Sequence, residues 1–458
     1  MKKTVALFLL LIFLGVFGCA SNSRRDEFSP YTRVNHDIET SAGQAAAVAE
    51  KSSLPELSDA SGLSDYLGYA ALNNPELEAA FNRFKAALEE VPQVTALPDP
   101  RFNYKYYIEE VETRVGPQRQ GLSISQMFPW FGKLKLRGDV AAQVANAAGQ
   151  RYEEVKLRLF FEVKNAYYEY YYLARSIAIT KENIDLVTHL ESVARSRYAT
   201  AGGNHPDVIR AQVEVGKLED RYRSLLDMRQ PLVARLNAAL NRPVDANIPQ
   251  PKEIQSVQVQ VSERQLLAEL REENPQLKAL GFEIARSQKA IALAEKDYYP
   301  DFAFGLGFID TGKAFTGNPS DNGKDPIIAS VSINLPIWRE KYDAAVRQAK
   351  YKYLAVVRSR RAKTNSLQSA FKAASYHFRD AERKINLYRD TLLPKARESL
   401  KVTEATFRSA GVGFTDLIDA QRILLDFALS YERALADKAQ ALAKLELLVG
   451  REIPRKVN

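Results

Sequence analysis

Residues 73–79 of the chain read NNPELEA, and residues 273–279 read ENPQLKA. Each stretch places an asparagine directly before a proline. This pairing is typical of a helix start, because asparagine caps free N–H groups and proline suits the first helical turn. Later segments recur in the same order: Phe128-Pro129 is matched by Leu335-Pro336, 198–202 by 407–411, and Asp207 by Asp416. Four matched segments in the same order indicate that the chain contains an internal duplication.

Two stretches of alternating apolar and polar residues follow each asparagine–proline pair, at about 101–110 and 121–128 and again at about 301–309 and 327–335. Period-two alternation predicts β-strands, and strands of this length suit a tilted crossing of a bilayer. A half-buried soluble sheet is the alternative, since one apolar face can also pack on a core. The remainder of the chain offers long helices and no obvious second layer for such a sheet.

Very long helices follow each pair of strands. No proline occurs from Lys133 to Thr200, and the apolar residues recur at alternating gaps of three and four, the pattern of coiled-coil packing. Such a helix would be about 100 Å long. Its counterpart runs from about Arg339 to Ser409, with an interruption expected at Pro394. Tip turns at 201–206 and 410–415 lead into returning helices, at about 206–241 and 415–449.

The predicted fold class is therefore mainly α with a small β part. It consists of two helix–β-hairpin–long helix–turn–helix units, one over 63–250 and the other over 251–458. One chain supplies four strands, and four cannot close a barrel alone. Open strand edges are costly in lipid, so we expect a barrel shared between copies of this chain. Two copies would give eight strands with a filled interior, and three would give twelve with room for a lumen.

The composition excludes several classes of protein. The 458 residues carry a net charge of +8 and a mean hydropathy of −0.31, with one cysteine and four histidines. One cysteine excludes an internal disulfide framework, and the chain has no nucleophile elbow, phosphate loop or metal-spaced histidine cluster. We expect no enzyme activity, no catalytic residue, no metal and no cofactor. Basic and acidic residues interleave along the helices as on solvated faces, so no nucleic-acid partner is expected.

The N-terminus predicts export. Lys2 and Lys3 precede an apolar stretch of about a dozen residues, so 1–18 is interpreted as a signal peptide. Gly18 stands before Cys19, an arrangement that resembles a bacterial lipobox, although Val16 and Phe17 depart from its usual residues. This resemblance implies palmitate and other acyl chains on Cys19, and sorting to the outer membrane because Ala20 follows. Residues 19–62 are interpreted as a flexible tether. An uncleaved signal anchor is the alternative.

The duplicated asparagine–proline starts, the paired strand hairpins and the paired tip turns together resemble the TolC-like outer-membrane efflux channels. The lipobox points to the lipoprotein subset of that family. The resemblance implies a homotrimer with a shared 12-stranded membrane β-barrel continued by a long α-helical barrel. It implies an exit duct of a tripartite efflux or secretion system, with a periplasmic adaptor, an inner-membrane pump and outer-membrane lipid as partners. A lipoprotein adaptor or a coiled-coil scaffold is the alternative, but an adaptor predicts one helical hairpin rather than two.

The tip turns hold the candidate functional residues. Glycine suits a helix end and aspartate suits a helix N-terminus, so local structure alone accounts for these residue types, and Thr415 can cap the second returning helix. The resemblance implies that the turns form the periplasmic entrance and dock the adaptor. The second turn is similar to the family's docking turn, whereas the first departs from it. The candidate residues are Gly202, Gly203, Asp207, Gly411, Val412, Gly413 and Asp416.

Overall fold

A computed structural model describes residues 57–58, 60–200, 203–251, 254, 257–409 and 411–457. The predicted signal peptide, Cys19, most of the predicted tether and Gly202 lie outside these ranges. The helices and strands below all belong to the compact unit that spans residues 59–458. No helix among the described residues is long and apolar enough to cross a membrane.

The two copies share the order short helix, helix, two strands, long helix and returning helix. The elements of the first copy are α1 (Leu63–Asn73), α2 (Pro75–Thr95), β1 (Arg101–Val111), β2 (Gln118–Phe128), α3 (Lys133–Ala199) and α4 (His205–Ala239). Those of the second are β3 (Val257–Val259), α5 (Glu263–Glu273), α6 (Pro275–Lys296), β4 (Phe302–Thr311), β5 (Ile327–Ile333), α7 (Arg339–Leu387), a π-helical turn (Tyr388–Leu392), α8 (Leu393–Arg408), α9 (Phe414–Val449) and β6 (Arg455–Val457). The short strands β3 and β6 pair with each other.

The asparagine–proline pairs start helices as their sequences predict. The side-chain oxygen of Asn74 accepts hydrogen bonds from the N–H groups of Glu76 and Leu77, at 3.0 and 3.1 Å. The side chain of Asn274 does the same for the equivalent residues of α6. Each asparagine thus satisfies two of the free N–H groups of its helix.

The long helix of the second copy is interrupted just before Pro394. The chain passes from α7 through the π-helical turn into α8, and Pro394 is the second residue of α8. Proline has no N–H to donate to the carbonyl four residues earlier, so the regular hydrogen-bond ladder cannot continue through it. The first copy has no proline in the corresponding stretch, and α3 is continuous over 67 residues.

The longer strands form one antiparallel sheet in the order β1-β2-β4-β5. Its first face is apolar: Leu122 lies opposite Tyr104 on one side and Phe308 on the other. The second face carries small and polar residues, and Ser123 lies opposite Asn103 and Gly307. The apolar face is exposed, with Ile108 at 91%, Val331 at 68% and Phe102 at 65% exposure.

Three strand ends differ by two or more residues from their predicted positions, and one of them is the end of β4, at Thr311 rather than about 309. β2 begins at Gln118 rather than about 121, because Gln118 pairs with both Val111 and Thr311 beyond the apolar part of the sheet. β5 ends at Ile333 rather than about 335. There the side chain of Asn334 accepts a hydrogen bond from the Asp301 N–H, and Pro336 has no N–H for a ladder.

The helices next to the sheet follow the order of the strands. α2 packs on α3, α3 on α6, and α6 on α7. A ring contact between Phe81 and Tyr152, at 5.7 Å, joins α2 to α3. Tyr298, just after the end of α6, makes a ring contact at 5.6 Å with Tyr342 of α7. One edge of the unit therefore consists of α2 and β1, and the other consists of β5 and α7.

Candidate docking site at the helical tips

The first tip turn joins α3 to α4. Asn204 has extended backbone at the start of α4, and its carbonyl accepts the N–H of Asp207 at 3.1 Å. Gly203 lies close to the end of α3: a Cβ at this position would be 3.1 Å from the Tyr198 nitrogen and from the Arg197 Cβ. A larger side chain at Gly203 would therefore push against the last turn of α3.

The second tip turn joins α8 to α9 and is closed by Asp416. The Asp416 carboxylate accepts a 3.0 Å hydrogen bond from the Gly413 N–H, and the Gly411 N–H donates to the Thr406 carbonyl at 2.9 Å. Gly413 is the N-terminal cap residue of α9, so the expectation that Thr415 caps this helix is wrong. A capping carboxylate at this position also gains from the helix dipole.

The equivalent aspartates make different contacts. The Asp207 carboxylate lies 3.6 Å from Arg210, whereas Asp416 binds the main chain of its own turn. Arg210 also donates a 2.8 Å hydrogen bond to the hydroxyl of Thr415, in the other turn. This bond brings the two turns together, and it is the role that Thr415 has in place of capping.

A second contact between the turns centres on Phe407. The Arg197 guanidinium donates to the Phe407 carbonyl at 2.6 Å and lies 4.3 Å from the centre of its ring. The Phe407 ring packs edge-on against Phe414, with the ring centres 5.5 Å apart. Val412 packs against the same apolar cluster and is half-buried. Sequence reasoning missed Arg197 and Arg210, because neither contact follows from helical periodicity.

An ion pair joins the returning helices behind the turns. Arg422 on α9 donates to both carboxylate oxygens of Glu214 on α4, at 2.5 and 3.1 Å. These hydrogen bonds hold the pKa of Glu214 below its ordinary value, and they raise the pKa of Arg422. Similarly, the hydrogen bond from Arg195 lowers the pKa of Glu191, which also accepts from Gln212 on α4. Charge-assisted bonds thus fasten the tip on two sides.

The described candidate residues are therefore distributed unevenly. Gly411, Gly413 and Asp416 are exposed, Gly203, Asp207 and Val412 are half-buried, and Gly202 lies outside the described residues. The second turn presents more accessible surface on a firmly closed backbone. An arrangement of this kind can bind another protein at its surface.

Comparison with known proteins identifies the family. Residues 67–242 and 266–451 match the family described as "Outer membrane efflux protein". The chain belongs to this family. Each matched segment lies within one of the two copies, and the predicted family and function as an outer-membrane efflux channel are confirmed. The family consists of channels rather than enzymes.

Two curated proteins are similar to this efflux protein over most of their lengths. The cobalt-zinc-cadmium resistance protein CzcC of Cupriavidus metallidurans is 23% identical over 402 residues, which are 84% of this chain and 89% of the relative. Nodulation protein T of Rhizobium leguminosarum bv. trifolii is 20% identical over 413 residues, 85% of each chain.

Solved structures confirm the predicted fold of the efflux protein. The channel CusC has a TM-score of 0.72 at 16% identity, and the match covers 85% of this chain and 92% of that one. The outer membrane protein VceC from Vibrio cholerae has a TM-score of 0.70 at 15% identity, covering 86% and 97%. The Neisseria gonorrhoeae MtrE outer membrane channel, solved in its open state, has a TM-score of 0.67 at 17% identity, covering 85% and 89%.

Proposed function

We propose that three copies of this chain form the exit duct of a tripartite efflux system. The supporting observation is the four-stranded sheet, which has an exposed apolar face and two open edges, β1 and β5. Exposed apolar surface of this extent is unusual in water and is covered by lipid in a membrane barrel. Three sheets joined edge to edge give twelve strands, with the apolar face towards lipid and the serine- and glycine-rich face towards a lumen.

The helices then supply the duct below the membrane. α3 has 67 residues, and a helix of that length extends about 100 Å. The chain enters and leaves the sheet on the side of α2, α3, α6 and α7, so all four helices leave the membrane in the same direction. This arrangement supports a helical barrel that projects into the periplasm and places the tip turns farthest from the sheet.

The tip turns are the proposed docking surface for a periplasmic adaptor, which in turn connects the duct to an inner-membrane pump. The proposed surface comprises both turns, with Gly411, Val412 and Gly413 as its centre. Gly411 and Gly413 are exposed whereas Gly203 and Asp207 are half-buried, and Asp416 holds the backbone of the second turn in place. Gly202 is included on its sequence alone.

Cys19 is the proposed lipid anchor. Acyl chains on one residue, each contributing about 0.8 kcal/mol per buried methylene, would hold the tether at the membrane in addition to the barrel. Replacement of Cys19 by alanine is expected to abolish palmitate labelling without changing the helical circular dichroism of the protein. Labelling that persists in the alanine variant would contradict the assignment.

Oligomeric state and conductance test the proposed duct. Full-length protein is extracted from outer membranes in mild detergent, its mass is measured by light scattering, and it is then added to a planar lipid bilayer. The expected result is a trimer that produces stepwise ionic currents. A monodisperse monomer without conductance would refute the proposal. In-cell cross-linking from a photoreactive residue at Val412 identifies the adaptor, and the same residue at exposed Leu72, on the short helix α1, is the control.

A further inference from the structure

The two copies within one chain meet along α3 and α6, a contact we call the repeat seam. Across it, Lys289 on α6 lies 3.1 Å from the carboxylate of Asp139 on α3, and Arg151 on α3 pairs with Glu283 on α6. Since the chain is duplicated, a ring of copies must contain a second contact of the same kind. In that contact, α7 of one copy faces α2 of the next, and we call it the protomer seam.

The repeat offsets predict which residues meet at the protomer seam. The offset between α2 and α6 is 200 residues, from Asn74 to Asn274. The offset at the start of α3 and α7 is 207, from Phe128 to Leu335. The position equivalent to Lys289 is therefore Glu89. The position equivalent to Asp139 is Val346, which is buried within the chain, and the exposed residue directly beside it is Arg347. The carboxylate and the cation have exchanged sides of the seam.

A second pair follows from the same offsets. Arg151 corresponds to Arg358, which is also an arginine. The position equivalent to its partner Glu283 is Arg83, so the acid that pairs with Arg358 has to come from a neighbouring turn of α2. Glu76 and Glu78 are both exposed there, but Glu76 already pairs with Arg158 within the chain, so Glu78 is the carboxylate that is left.

The spacing of the four charges matches on the two helices. Glu78 and Glu89 are 11 residues apart on α2, and Arg347 and Arg358 are 11 residues apart on α7. Eleven residues are close to three helical turns, so each pair lies on one side of its helix, with its members about 16 Å apart. α2 runs towards the sheet and α7 runs away from it, so antiparallel packing aligns both pairs at once.

All four side chains are exposed and, within the described part of the chain, have no ion-pair partner. Leu354 lies between the two arginines on the same side of α7 and is 50% exposed. The strand edges agree with this assignment, since β1 follows α2 and β5 precedes α7. The open edges of the sheet are therefore continued by α2, which carries the two acids, and by α7, which carries the two arginines and an exposed leucine.

We propose that Glu89–Arg347 and Glu78–Arg358 form two ion pairs across each seam between neighbouring copies and set the register in which the ring closes. The inference rests on the proposed trimer and specifies its interface. Complementary charges across an interface fix register and exclude wrong partners more than they add affinity. The partner recognised by this face of α7 is thus a second copy of the same chain.

Thiol cross-linking tests the register. Double variants Glu89→Cys/Arg347→Cys and Glu78→Cys/Arg358→Cys are treated in membranes with a short bis-maleimide and analysed on denaturing gels. Both matched pairs are expected to give covalent trimers. The control Glu78→Cys/Arg347→Cys, offset by three helical turns, is expected to give none. Two results with a native trimer would refute the proposed ion pairs without refuting the duct. In one, the control is linked as well as the matched pairs; in the other, neither matched pair is linked. A native monomer overturns the duct itself.

Exchange of charge tests the ion pair separately from proximity. Glu89→Arg and Arg347→Glu, made singly, are expected to lower the temperature at which the detergent-solubilised trimer dissociates. The double variant is expected to restore it. Single variants that dissociate at the wild-type temperature, or a double variant that dissociates at or below the temperature of the singles, would refute the pairing even if cross-links form.

Discussion

The side-chain amide of Asn274 donates a 2.9 Å hydrogen bond to the main-chain carbonyl of Leu448, in the last turn of α9. Asn74 donates in the same way to the carbonyl of Ala239, the last residue of α4, at 3.1 Å. Ala239 and Leu448 are 209 residues apart, which is also the spacing of the aspartates Asp207 and Asp416. Each copy therefore closes on itself through one asparagine, which caps the start of one helix and satisfies a carbonyl at the end of another.

Replacement of Asn274 is expected to destabilise the protein more than replacement of Asn74. Asn274 is only 2% exposed, so Asn274→Ala loses a helix cap, worth about 0.5–2 kcal/mol, and also leaves the Leu448 carbonyl buried without this donor. Asn274→Asp keeps the cap but still lacks the donor. Thermal unfolding followed by circular dichroism at 222 nm should rank wild type above Asn74→Ala and Asn74→Ala above Asn274→Ala. Equal midpoints for the two alanine variants would contradict the assignment.

The buried ion pair between Lys164 and Glu446 is expected to be sensitive to loss of one partner. Their charged groups are 2.6 Å apart, and the residues are 5% and 4% exposed. Lys164→Met should cost up to about 3–5 kcal/mol of unfolding free energy, because it removes the closest cation from a buried carboxylate and leaves it with the more distant Arg455, at 4.0 Å. The double variant Lys164→Met/Glu446→Leu should recover much of this loss. Denaturant unfolding measures both, and a double variant less stable than Lys164→Met would argue against an electrostatic cause.

The Glu214–Arg422 pair is expected to make the tip acid-sensitive. The pKa of Glu214 is lowered in the folded protein, mainly by the hydrogen bond from Arg422. Its contribution to stability is therefore full above the pKa of glutamate in the unfolded chain, and it is lost as the pH falls through the lower folded-state value. Hydrogen exchange is measured on the amides in 205–215 and 414–422 and divided into the intrinsic rate of an unfolded peptide at the same pH, because intrinsic exchange itself slows in acid. The resulting protection factors should be high at neutral pH and lower in acid.

Glu214→Gln should lower the protection of the same amides at neutral pH, since it removes the charge at every pH. Glu219→Gln is the matched control, because Glu219 is exposed on the same helix. If the Glu214 variant and wild type exchange equally at neutral pH, the ion pair does not hold the tip.

The two faces of the sheet are expected to tolerate a lysine differently. Leu122 lies on the apolar face and its neighbour Ser123 on the opposite face, near the middle of β2. Leu122→Lys should destabilise the membrane-inserted trimer by about 2–4 kcal/mol, because it places a charge towards lipid. Ser123→Lys should leave the trimer intact and shift its conductance towards anions. Trimer yield and reversal potential measure the two effects, and equal loss of trimer in both variants would reverse the assignment of faces.

The helices could be predicted closely because their sequence signals are local. Asparagine–proline pairs mark α2 and α6, and the absence of proline over α3 leaves a single continuous helix. Strand ends were less predictable. Gln118 and Asn334 are polar, so the apolar alternation that identifies a strand does not tell whether they belong to it.

The contacts of the tip could not be predicted from the sequence. Arg197 with Phe407, Arg210 with Thr415 and Glu214 with Arg422 each join residues more than 200 positions apart. In the sequence, the arginine and glutamate residues of these pairs follow the same pattern as solvent-exposed residues of a helix. Only the packing of the two helical hairpins brings them to their partners. The turns themselves were visible, because glycine and aspartate mark helix ends through local geometry.

The ion pair between Asp139 and Lys289 has a consequence for how rings of this protein can be built. The acid is on α3 in the repeat seam and on α2 in the proposed protomer seam, so the two halves of the chain are not interchangeable in the proposed ring. A ring that placed α3 beside α2 of another copy would set Asp139 against Glu89, and one that placed α7 beside α6 would set Arg347 against Lys289. In the proposed ring the first and second halves therefore alternate, and two identical halves could not occupy both places without bringing like charges together.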